Sequence, residues 1–401
     1  MSTFGLDGVL AWSQAVHVAL TAGRPLPVVA ARLDEAGGSI LGRDLTLLLD
    51  DPPQDCAAFD GYAICGEGPW LAVDADRLRP GECQVVRAGQ STALHTDAVL
   101  AAEGADTRRA ADGTLVVIAL DELTGVVDET ARPALGTGII RQAERMGIGG
   151  SLVPAGRLAN SPVLALAAAA GHDWLEVIRP PVVGTLVLGR SLLSHGLPRD
   201  GRVRDALGDA VAYFAGRQGA RSNPPMRAPD TAVLLREHIA DANVDVLITT
   251  GSTAPSPENH VREVLRDLGA RWLIDGVAVS PGAQMLLARL PDDRFVVGLP
   301  GDPAAALAGL VTIVRPLLLA LRGAAQDAPR HAVLVDDVDP GDYADDTRLV
   351  PVQLDASAGH PVARILPGGF AHVAHWANAD AVAVVVPGDG VRGQSVPVLP
   401  L

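Results

Sequence analysis

The sequence contains no lysine, and all 32 of its basic residues are arginine. A Schiff-base or general-base mechanism that needs a lysine amine is therefore excluded. Aromatic residues make up only 3% of the chain, although hydrophobic residues reach 48%. Alanine, valine and leucine must therefore fill most of the interior, which predicts cores built from small aliphatic side chains.

Long apolar runs and paired cysteines are also missing. No apolar stretch reaches the roughly 20 residues needed to span a bilayer, and the beginning Met1-Ser2-Thr3-Phe4 lacks a basic region followed by an apolar core. Cys56, Cys65 and Cys83 form no Cys-x-x-Cys pair, so neither a zinc site nor a disulfide framework is indicated. We expect no membrane span, a cytoplasmic location and three buried, inert thiols.

The chain is long and acidic. Its 401 residues predict two to four domains. The net charge of −15 is spread along the chain, whereas a protein that binds nucleic acid needs a basic surface. The charge therefore argues against a large nucleic-acid interface, and it is still compatible with a local site for a small anion.

The first part of the chain predicts a helical domain interrupted by a β-rich insert. Residues 1–45 read as a helix with apolar residues on one face and a second helix from about 26 to 37. Residues 136–179 contain an alanine-rich helix at 163–170 and a strand at 174–178, so they are expected to complete this domain. The intervening residues 46–135 predict short strands, at 61–63, 71–73, 83–86 and 115–119.

Residues 180–325 alternate between strand and helix patterns. The predicted strands are 184–188, 244–250 and 294–299, and the predicted helices are 203–217, 230–240, 258–268 and 303–321. This alternation predicts parallel strands with right-handed crossovers in an open α/β sheet, whose ligand site lies at the carboxyl ends of the strands. Residues 326–401 read as successive strands and predict a small β module.

Two loops in the α/β segment have the composition of a ligand site. The first, Thr249-Thr250-Gly251-Ser252-Thr253, follows an apolar strand and precedes a helix expected near Glu258. Glycine lets the backbone approach a ligand, and amides and hydroxyls at a helix N-terminus bind anions. A simple Gly-Ser turn, with Ser256-Pro257 starting the helix, explains the pattern equally well.

The second loop is Leu299-Pro300-Gly301-Asp302-Pro303. It also follows a strand, and it precedes a long apolar helix whose first turn suits a proline. Because both loops leave the carboxyl ends of parallel strands, we expect them to lie side by side.

These loops and one earlier segment resemble the MoeA, or molybdopterin molybdotransferase, family, which includes the E domain of gephyrin. The family pattern Pro-Pro-x-Asp-x-Ser-Ala-Met-Asp-Gly-Tyr-Ala is similar to Pro52-Pro53-Gln54-Asp55-Cys56-Ala57-Ala58-Phe59-Asp60-Gly61-Tyr62-Ala63. Weaker matches follow in the same order, at Thr96, Glu103-Gly104-Ala105-Asp106, Ile140-Arg141 and Val279-Ser280-Pro281-Gly282. The resemblance covers essentially the whole chain.

The resemblance implies an α/β multidomain fold. Its parts are a discontinuous helical first domain (1–45 and 136–179), a β-rich insert (46–135), an open α/β domain like that of MogA (180–325) and a C-terminal β-barrel (326–401). The implied reaction inserts molybdate into adenylylated molybdopterin with the help of Mg²⁺ and releases AMP. A homodimer and a MogA-like partner are also implied.

The resemblance further implies site residues. Asp60 and Thr96 match catalytic positions of the family. Asp60 and Asn259 match positions near its metal. The alternative for Asp60 is an ordinary turn residue before Gly61. The implied ligand-binding residues are Gly251, Ser252, Thr253, Ser256, Ser280, Pro281, Gly282, Pro300, Gly301, Asp302 and Pro303.

Several matched positions depart from the family pattern. Asn259 is a neutral amide where a carboxylate is expected, and Gly189-Arg190-Ser191 replaces a Gly-Asp-Glu turn. Ser280 and Ala283 replace the two lysines of a Lys-Pro-Gly-Lys-Pro loop. Weak Mg²⁺ binding follows from the lost carboxylates. Arg190 is a candidate replacement cation, whereas Arg262 is expected on a solvated helix face.

Two interpretations remain. The chain is an active or altered molybdotransferase, or it is a non-catalytic relative that retains binding of a pterin, a nucleotide or a protein partner. An adenylyltransferase of the MogA type would explain the α/β segment alone.

Overall fold

The computed structural model describes residues 8–121, 123–256, 259–326, 328–339, 344–355, 361–366 and 372–401. The chain divides into two compact units. The large unit comprises Met1–Arg43, Gly156–Asn160 and Glu176–Leu401, and the small unit comprises Asp44–Ala155 and Ser161–Leu175. The finer four-part division stays a prediction.

The small unit contains a six-stranded sheet. Its strand order is Ala105–Arg109, Leu115–Ala119, Trp70–Ala72, Glu82–Val86, Gly61–Cys65 and Ala98–Ala101. All four strands predicted for residues 46–135 are therefore present. The short ladders Cys56–Ala57 with Ile139–Ile140 and Leu45–Thr46 with Ser151–Val153, a 3-10 turn at Ala102–Gly104 and the helix Ser161–Ala169 complete the unit.

The three cysteines are free and buried, as predicted. Burial raises the pKa of the Cys83 thiol to about 12, and burial with nearby carboxylates raises that of Cys65. Because the thiolate is the reactive form of cysteine, both thiols are inert at neutral pH.

The large unit is built around the predicted α/β sheet. Its strand order is Arg221–Ser222, Val182–Leu188, Val246–Thr250, Phe295–Leu299, Leu286–Arg289 and Arg271–Asp275, and Met226–Ala228 also pairs with Val182–Leu188. The pairings up to Phe295–Leu299 are parallel, whereas the last two are antiparallel. The open sheet is confirmed, and one side of it is an antiparallel hairpin rather than a crossover.

The flanking helices are those predicted, but three of them begin later than predicted. The helix predicted at 203–217 is Gly208–Arg217, because Val203–Arg204 pairs with Leu192–Leu193 as a strand. The next is Ala232–Asp241. Thr231 caps its N-terminus, because the Thr231 side chain accepts a hydrogen bond from the Leu234 amide. The third is Val261–Asp267, and its predicted start at Glu258 lies outside the described residues.

The prediction of a second N-terminal helix at about 26–37 is wrong. The first helix is present as Trp12–Ala22, but Val28–Arg32 is a strand in a sheet with Trp174–Ile178 and Ile40–Leu41. Two prolines, Pro25 and Pro27, precede this strand, and it begins with two β-branched valines. Prolines disfavour a continuing helix, and β-branched residues favour a strand.

The helix Pro303–Arg322 corrects the expectation about long apolar runs. It has 20 residues and is long and apolar enough to cross a membrane, but 78% of the apolar window is buried inside the protein. Its buried residues share one core with the helix Trp12–Ala22 and one face of the α/β sheet. It is therefore the central core helix of the large unit, and it contains a π turn at Leu310–Val314.

The C-terminal strands form a closed barrel, as predicted. Five strands pair in the order Thr347–Asp355, Val362–Ile365, Arg330–Leu334, Ser395–Pro400 and Ala381–Val385, and the last pairs again with the first. The strand Val277–Ser280 adds to Thr347–Asp355 from outside, and Leu10–Ala11 adds to Val277–Ser280 in turn. A short helix, Val373–Ala377, lies between two barrel strands.

Candidate functional site

The two predicted ligand loops meet at the carboxyl edge of the α/β sheet. Thr250 lies opposite Leu299 in the parallel ladder, so both loops leave the sheet at the same level. The Gly251 amide donates a hydrogen bond to the Leu299 carbonyl at 2.9 Å. A β carbon on Gly301 would lie 3.5 Å from the Cα of Gly251. The predicted adjacency of the loops is confirmed.

The backbone of the first loop is strained at Ser252. Gly251 has φ of 88° and Ser252 has φ of 60°, a left-handed conformation that residues other than glycine seldom adopt. The Ser252 hydroxyl donates a hydrogen bond to Oδ2 of Asp230. The other carboxylate oxygen, Oδ1, is buried and has no partner among the described residues. A buried oxygen of this kind favours a further ligand such as a cation, a proton or water.

Arginines lie beside this loop. Arg190 is exposed at the end of the first long strand, and its guanidinium donates to the Asp230 carbonyl at 3.3 Å. Arg262 was wrongly placed on a solvated face. It is half-buried, pairs with Asp275 at 2.8 Å and donates to the Thr253 carbonyl. Arg262 therefore holds the loop, whereas Arg190 brings a positive charge to the carboxyl edge.

The helix after this loop begins later than predicted. It begins only at Val261 and has seven residues, so the loop does not form its first turn, and anion binding by the loop stays a prediction. Asn259 donates its side-chain amide to the Ala254 carbonyl at 2.7 Å, which braces the loop. Thr253 is buried, whereas Ser256 is exposed. Gly251, Ser252, Thr253 and Ser256 remain predicted ligand-binding residues of this loop.

The second loop is partly structural. Pro300 is buried, and Gly301 and Asp302 are exposed. The Asp302 carboxylate accepts a hydrogen bond from the Ala305 amide at 2.9 Å and so caps the helix Pro303–Arg322, with Pro303 in its first turn. Gly301 is then the position where a ligand can approach the backbone closely.

The turn at residues 280–282 lies at the same edge. Gly282 has φ of 112°, and a β carbon there would lie 3.0 Å from the Ala305 carbonyl oxygen. Ser280 ends a strand, faces Arg348 in the ladder and is only 5% exposed. Ala283 is exposed. Of the two positions where the family pattern has lysine, Ala283 is therefore the one open to solvent.

The remaining candidates, Asp60 and Thr96, lie in the small unit. Asp60 is exposed and accepts a hydrogen bond from the Ala88 amide at 2.8 Å. The Thr96 hydroxyl donates to the Ala93 carbonyl at 2.7 Å. Gly61 admits no side chain, because a β carbon there would lie 2.1 Å from the Leu100 carbonyl oxygen. Both candidates thus stand on tightly defined turns.

An ion pair fixes the segment that precedes Asp60. Arg141 donates to the Asp55 carboxylate at 2.6 Å, and the Gln142 amide donates to its other oxygen at 2.9 Å. Burial raises the pKa of Asp55, but these two partners outweigh it and hold the pKa below its ordinary value. Both residues belong to segments that match the family pattern, so one structural contact explains both matches.

Asp205 was missed by sequence reasoning. Its carboxylate accepts hydrogen bonds from the Leu207 and Gly208 amides at 2.9 and 3.0 Å and from Arg227 at 2.8 Å. Burial raises the pKa of Asp205, but these donors together lower it below the ordinary 3.8. An aspartate shortly before a helix is the available signal, because aspartate side chains readily accept hydrogen bonds from backbone amides two residues further along the chain.

This lowered pKa predicts acid sensitivity. The stability contributed by the Asp205 carboxylate is present above its unfolded pKa and is lost as pH falls through its lower folded pKa, below about pH 4. We expect Asp205→Asn to lower the free energy of unfolding by about 1–2 kcal/mol at pH 7 and to weaken its decline in acid. Denaturant unfolding at pH 7 and pH 3 measures both. Asp209→Asn, in the first turn of the helix that follows Asp205 and with an 81% exposed side chain, is the control and should change little.

Known proteins resemble this chain along nearly its whole length. A family model described as the MoeA N-terminal region (domain I and II) matches residues 10–171, and one described as a probable molybdopterin binding domain matches residues 184–320. The molybdopterin molybdenumtransferase of Staphylococcus epidermidis is 26% identical over 374 residues, which cover 90% of this chain and 87% of that protein. That of Staphylococcus aureus is 25% identical over 380 residues, covering 92% and 89%.

A solved structure has the same fold. The molybdopterin biosynthesis MoeA protein from Pyrococcus horikosii superposes with a TM-score of 0.76 at 21% identity, covering 98% of this chain and 99% of that chain. The two family models together match most of this chain, and the staphylococcal relatives align along nearly all of it. The chain therefore belongs to the MoeA family of molybdenum-cofactor biosynthesis proteins.

Proposed function

We propose that this chain inserts molybdate into adenylylated molybdopterin, with the phosphate end of the ligand at the carboxyl edge of the α/β sheet. One observation carries the proposal. Asp230 presents a buried, unpartnered carboxylate oxygen beside the strained Ser252, next to the touching backbones of Gly251 and Gly301. Strained backbone and unpartnered buried polar atoms are concentrated at functional sites.

Each side chain at this edge has a proposed task. Gly251 and Gly301 let phosphate oxygens approach the backbone, and Arg190 neutralises phosphate charge. Ser252 holds Asp230 in place through its hydrogen bond. Asp60 and Thr96 remain proposed catalytic residues on family resemblance, and Ser280 and Pro281 remain proposed parts of the ligand pocket.

The side chains fit a magnesium ion that the ligand itself carries. In proteins Mg²⁺ is usually held by one or two carboxylates together with substrate phosphates. Asp230 supplies one such carboxylate, and within the described residues no three His, Cys, Asp or Glu side chains cluster as a metal site. When bound, the ion would neutralise phosphate charge. We propose that Mg²⁺ binds weakly without nucleotide.

A non-catalytic relative that binds a pterin, a nucleotide or a protein is the second candidate. Two observations favour it. The amide of Asn259 braces the loop, at a position where the family pattern has a carboxylate. Arg190 stands where that pattern has acids, and its guanidinium contacts the Asp230 backbone.

Complementation separates the two candidates. The chain is expressed in a strain that lacks its molybdotransferase, and the activity of a molybdenum enzyme is measured. Rescue to near the level of the strain's own protein is the expected result. Soluble, folded protein without rescue would reject the transferase in favour of the non-catalytic relative.

Restoring one loop charge should tighten ligand binding. Because Ala283 is exposed at the carboxyl edge and Ser280 is buried, Ala283→Lys places a cation at the edge without disturbing the core. We expect AMP to bind about tenfold more tightly, as one charge-assisted hydrogen bond would provide, and with greater sensitivity to salt. Calorimetric titration measures both. Unchanged affinity and salt dependence would remove this turn from the proposed pocket.

We also propose the homodimer, a MogA-like partner, the cytoplasmic location and the four-part division that the family resemblance implies. Light scattering of the purified chain tests the first of these, because a homodimer has twice the chain mass of 41.3 kDa.

A further inference from the structure

A cavity of the large unit lies at the opposite edge of the α/β sheet from the candidate site. Its volume is about 570 Å³, within the usual range for small-molecule sites. Arg221, which lines it, pairs with Val182 at the start of the strand Val182–Leu188. Seven strand residues, at roughly 3.3 Å each, put the cavity about 20 Å from the carboxyl edge. We call it the arginine cavity, because Arg217, Arg221 and Arg322 line it.

Arg322 is built into the wall of this cavity. It ends the central core helix, and its guanidinium donates hydrogen bonds to the carbonyls of Gln218 and Gly38 at 2.6 and 2.7 Å. A β carbon on Gly219 would lie 2.4 Å from the guanidinium carbon, so a side chain at this position would displace the guanidinium. Burial lowers the pKa of Arg322, and no carboxylate pairs with it among the described residues. Arg322 is therefore a half-buried cation, and some of its five N–H groups are available to a ligand.

Two more cations stand beside it. Arg217 ends the helix Gly208–Arg217, Arg221 begins the short strand Arg221–Ser222, and both are exposed. Within the described part of the chain neither arginine forms an ion pair, and Glu35 is the one carboxylate that lines the cavity. In a chain of net charge −15, three arginines with one nearby carboxylate make a local positive site.

Ser39 adds a hydroxyl to the wall of this cavity. It lines the cavity and is only 6% exposed. Among the described residues no protein group pairs with its hydroxyl, which is therefore free to donate a hydrogen bond into the cavity. A hydroxyl beside several guanidinium groups suits an oxyanion, which accepts hydrogen bonds from both.

We propose that the arginine cavity binds a small phosphate-bearing metabolite, at a site separate from the carboxyl edge. Guanidinium groups match the planar, paired acceptors of a phosphate. The open space beside Gly38 admits a ligand somewhat larger than phosphate itself. This site is independent of the proposed transferase activity, because none of its residues belongs to the carboxyl edge.

Calorimetric titration of the full chain with inorganic pyrophosphate tests the proposal. We expect saturable binding that Arg217→Ala with Arg221→Ala weakens about thirtyfold, because two charge-assisted contacts are lost. Ser39→Ala should weaken it about fivefold, as one neutral hydrogen bond would. Arg217→Lys with Arg221→Lys keeps both charges and should restore part of the affinity.

The control variant removes the same charge elsewhere on the large unit. Arg266 and Arg271 are exposed, form no ion pair in the described part of the chain and do not line the cavity. Arg266→Ala with Arg271→Ala should leave pyrophosphate affinity unchanged. Gly301→Asp, which adds a carboxylate at the carboxyl edge, should leave unchanged the part of pyrophosphate binding that depends on Arg217 and Arg221.

Three outcomes would overturn the proposal. They are no saturable binding at millimolar pyrophosphate, an equal loss of affinity in the two double alanine variants, and loss with Gly301→Asp while Arg217→Ala with Arg221→Ala binds normally. The last would assign pyrophosphate to the carboxyl edge. Circular dichroism of each variant confirms that it is folded.

Discussion

Asp230→Asn is expected to reduce molybdenum insertion about a hundredfold, a loss typical of removing one key electrostatic contact from an active site. Asparagine has nearly the same shape and can still accept the Ser252 hydrogen bond. It removes the negative charge, however, and replaces one carboxylate oxygen with an amide that donates. The buried oxygen that lacks a partner could then no longer hold a cation. The rescue of molybdenum-enzyme activity in the complementation strain measures the effect.

Asp241→Asn is the matched control. Asp241 is an exposed carboxylate at the end of the helix Ala232–Asp241, in the same unit, and its loss should leave rescue intact. If both variants rescued as well as the unaltered chain, Asp230 would have no part in the reaction. If Asp230→Asn unfolded the protein, Ser252→Ala would test the same contact, since it removes only the hydroxyl.

Trp70→Ala is expected to lower the free energy of unfolding by about 3–5 kcal/mol, the range for removing a buried aromatic side chain. Trp70 is fully buried at the centre of the six-stranded sheet, and its ring nitrogen donates to the Gly66 carbonyl at 3.3 Å. The other buried residues of its core cluster are Ile64, Cys83, Ala98, Leu100, Val117 and Ala119, and these smaller side chains do not fill the space. Guanidinium unfolding followed by circular dichroism measures the change.

The adjacent strand residue provides the control. Leu71 points to the other face of the same strand and is 46% exposed, since neighbouring side chains alternate between faces. Leu71→Ala should cost less than about 1 kcal/mol, because little apolar area is buried there. Equal losses in the two variants would mean that Trp70 does not anchor the core of the small unit.

Strands and their edges could be predicted well from the sequence, because they depend on local composition. Apolar runs ended by glycine or proline located the strands Val246–Thr250 and Phe295–Leu299 and the loops after them. Parallel pairing then placed Gly251 beside Gly301 without further information. Helix starts were less accurate, since a cap such as Thr231 acts through a single hydrogen bond.

The chemistry of the candidate site was less predictable than its position. The contact between Ser252 and Asp230 joins loops 22 residues apart, and it forms because Met226–Ala228 pairs with Leu186, Val187 and Leu188. That register is tertiary information. Arg262 likewise reads as a surface residue on its own helix, and only the neighbouring loop and Asp275 make it a bracing residue.

The π turn at Leu310–Val314 links the two ends of the central core helix. A π turn amounts to one extra residue in an α-helix, and one residue corresponds to about 100° of rotation. The residues before the turn, Pro303–Gly309, are mostly buried, whereas Arg315 and Arg322 after it are half-buried at the border of the core. Deleting a single residue here would rotate Arg322 by about 100° and remove it from the arginine cavity. The register of this one helix therefore fixes both the position of its first turn at the carboxyl edge and the position of Arg322 at the arginine cavity.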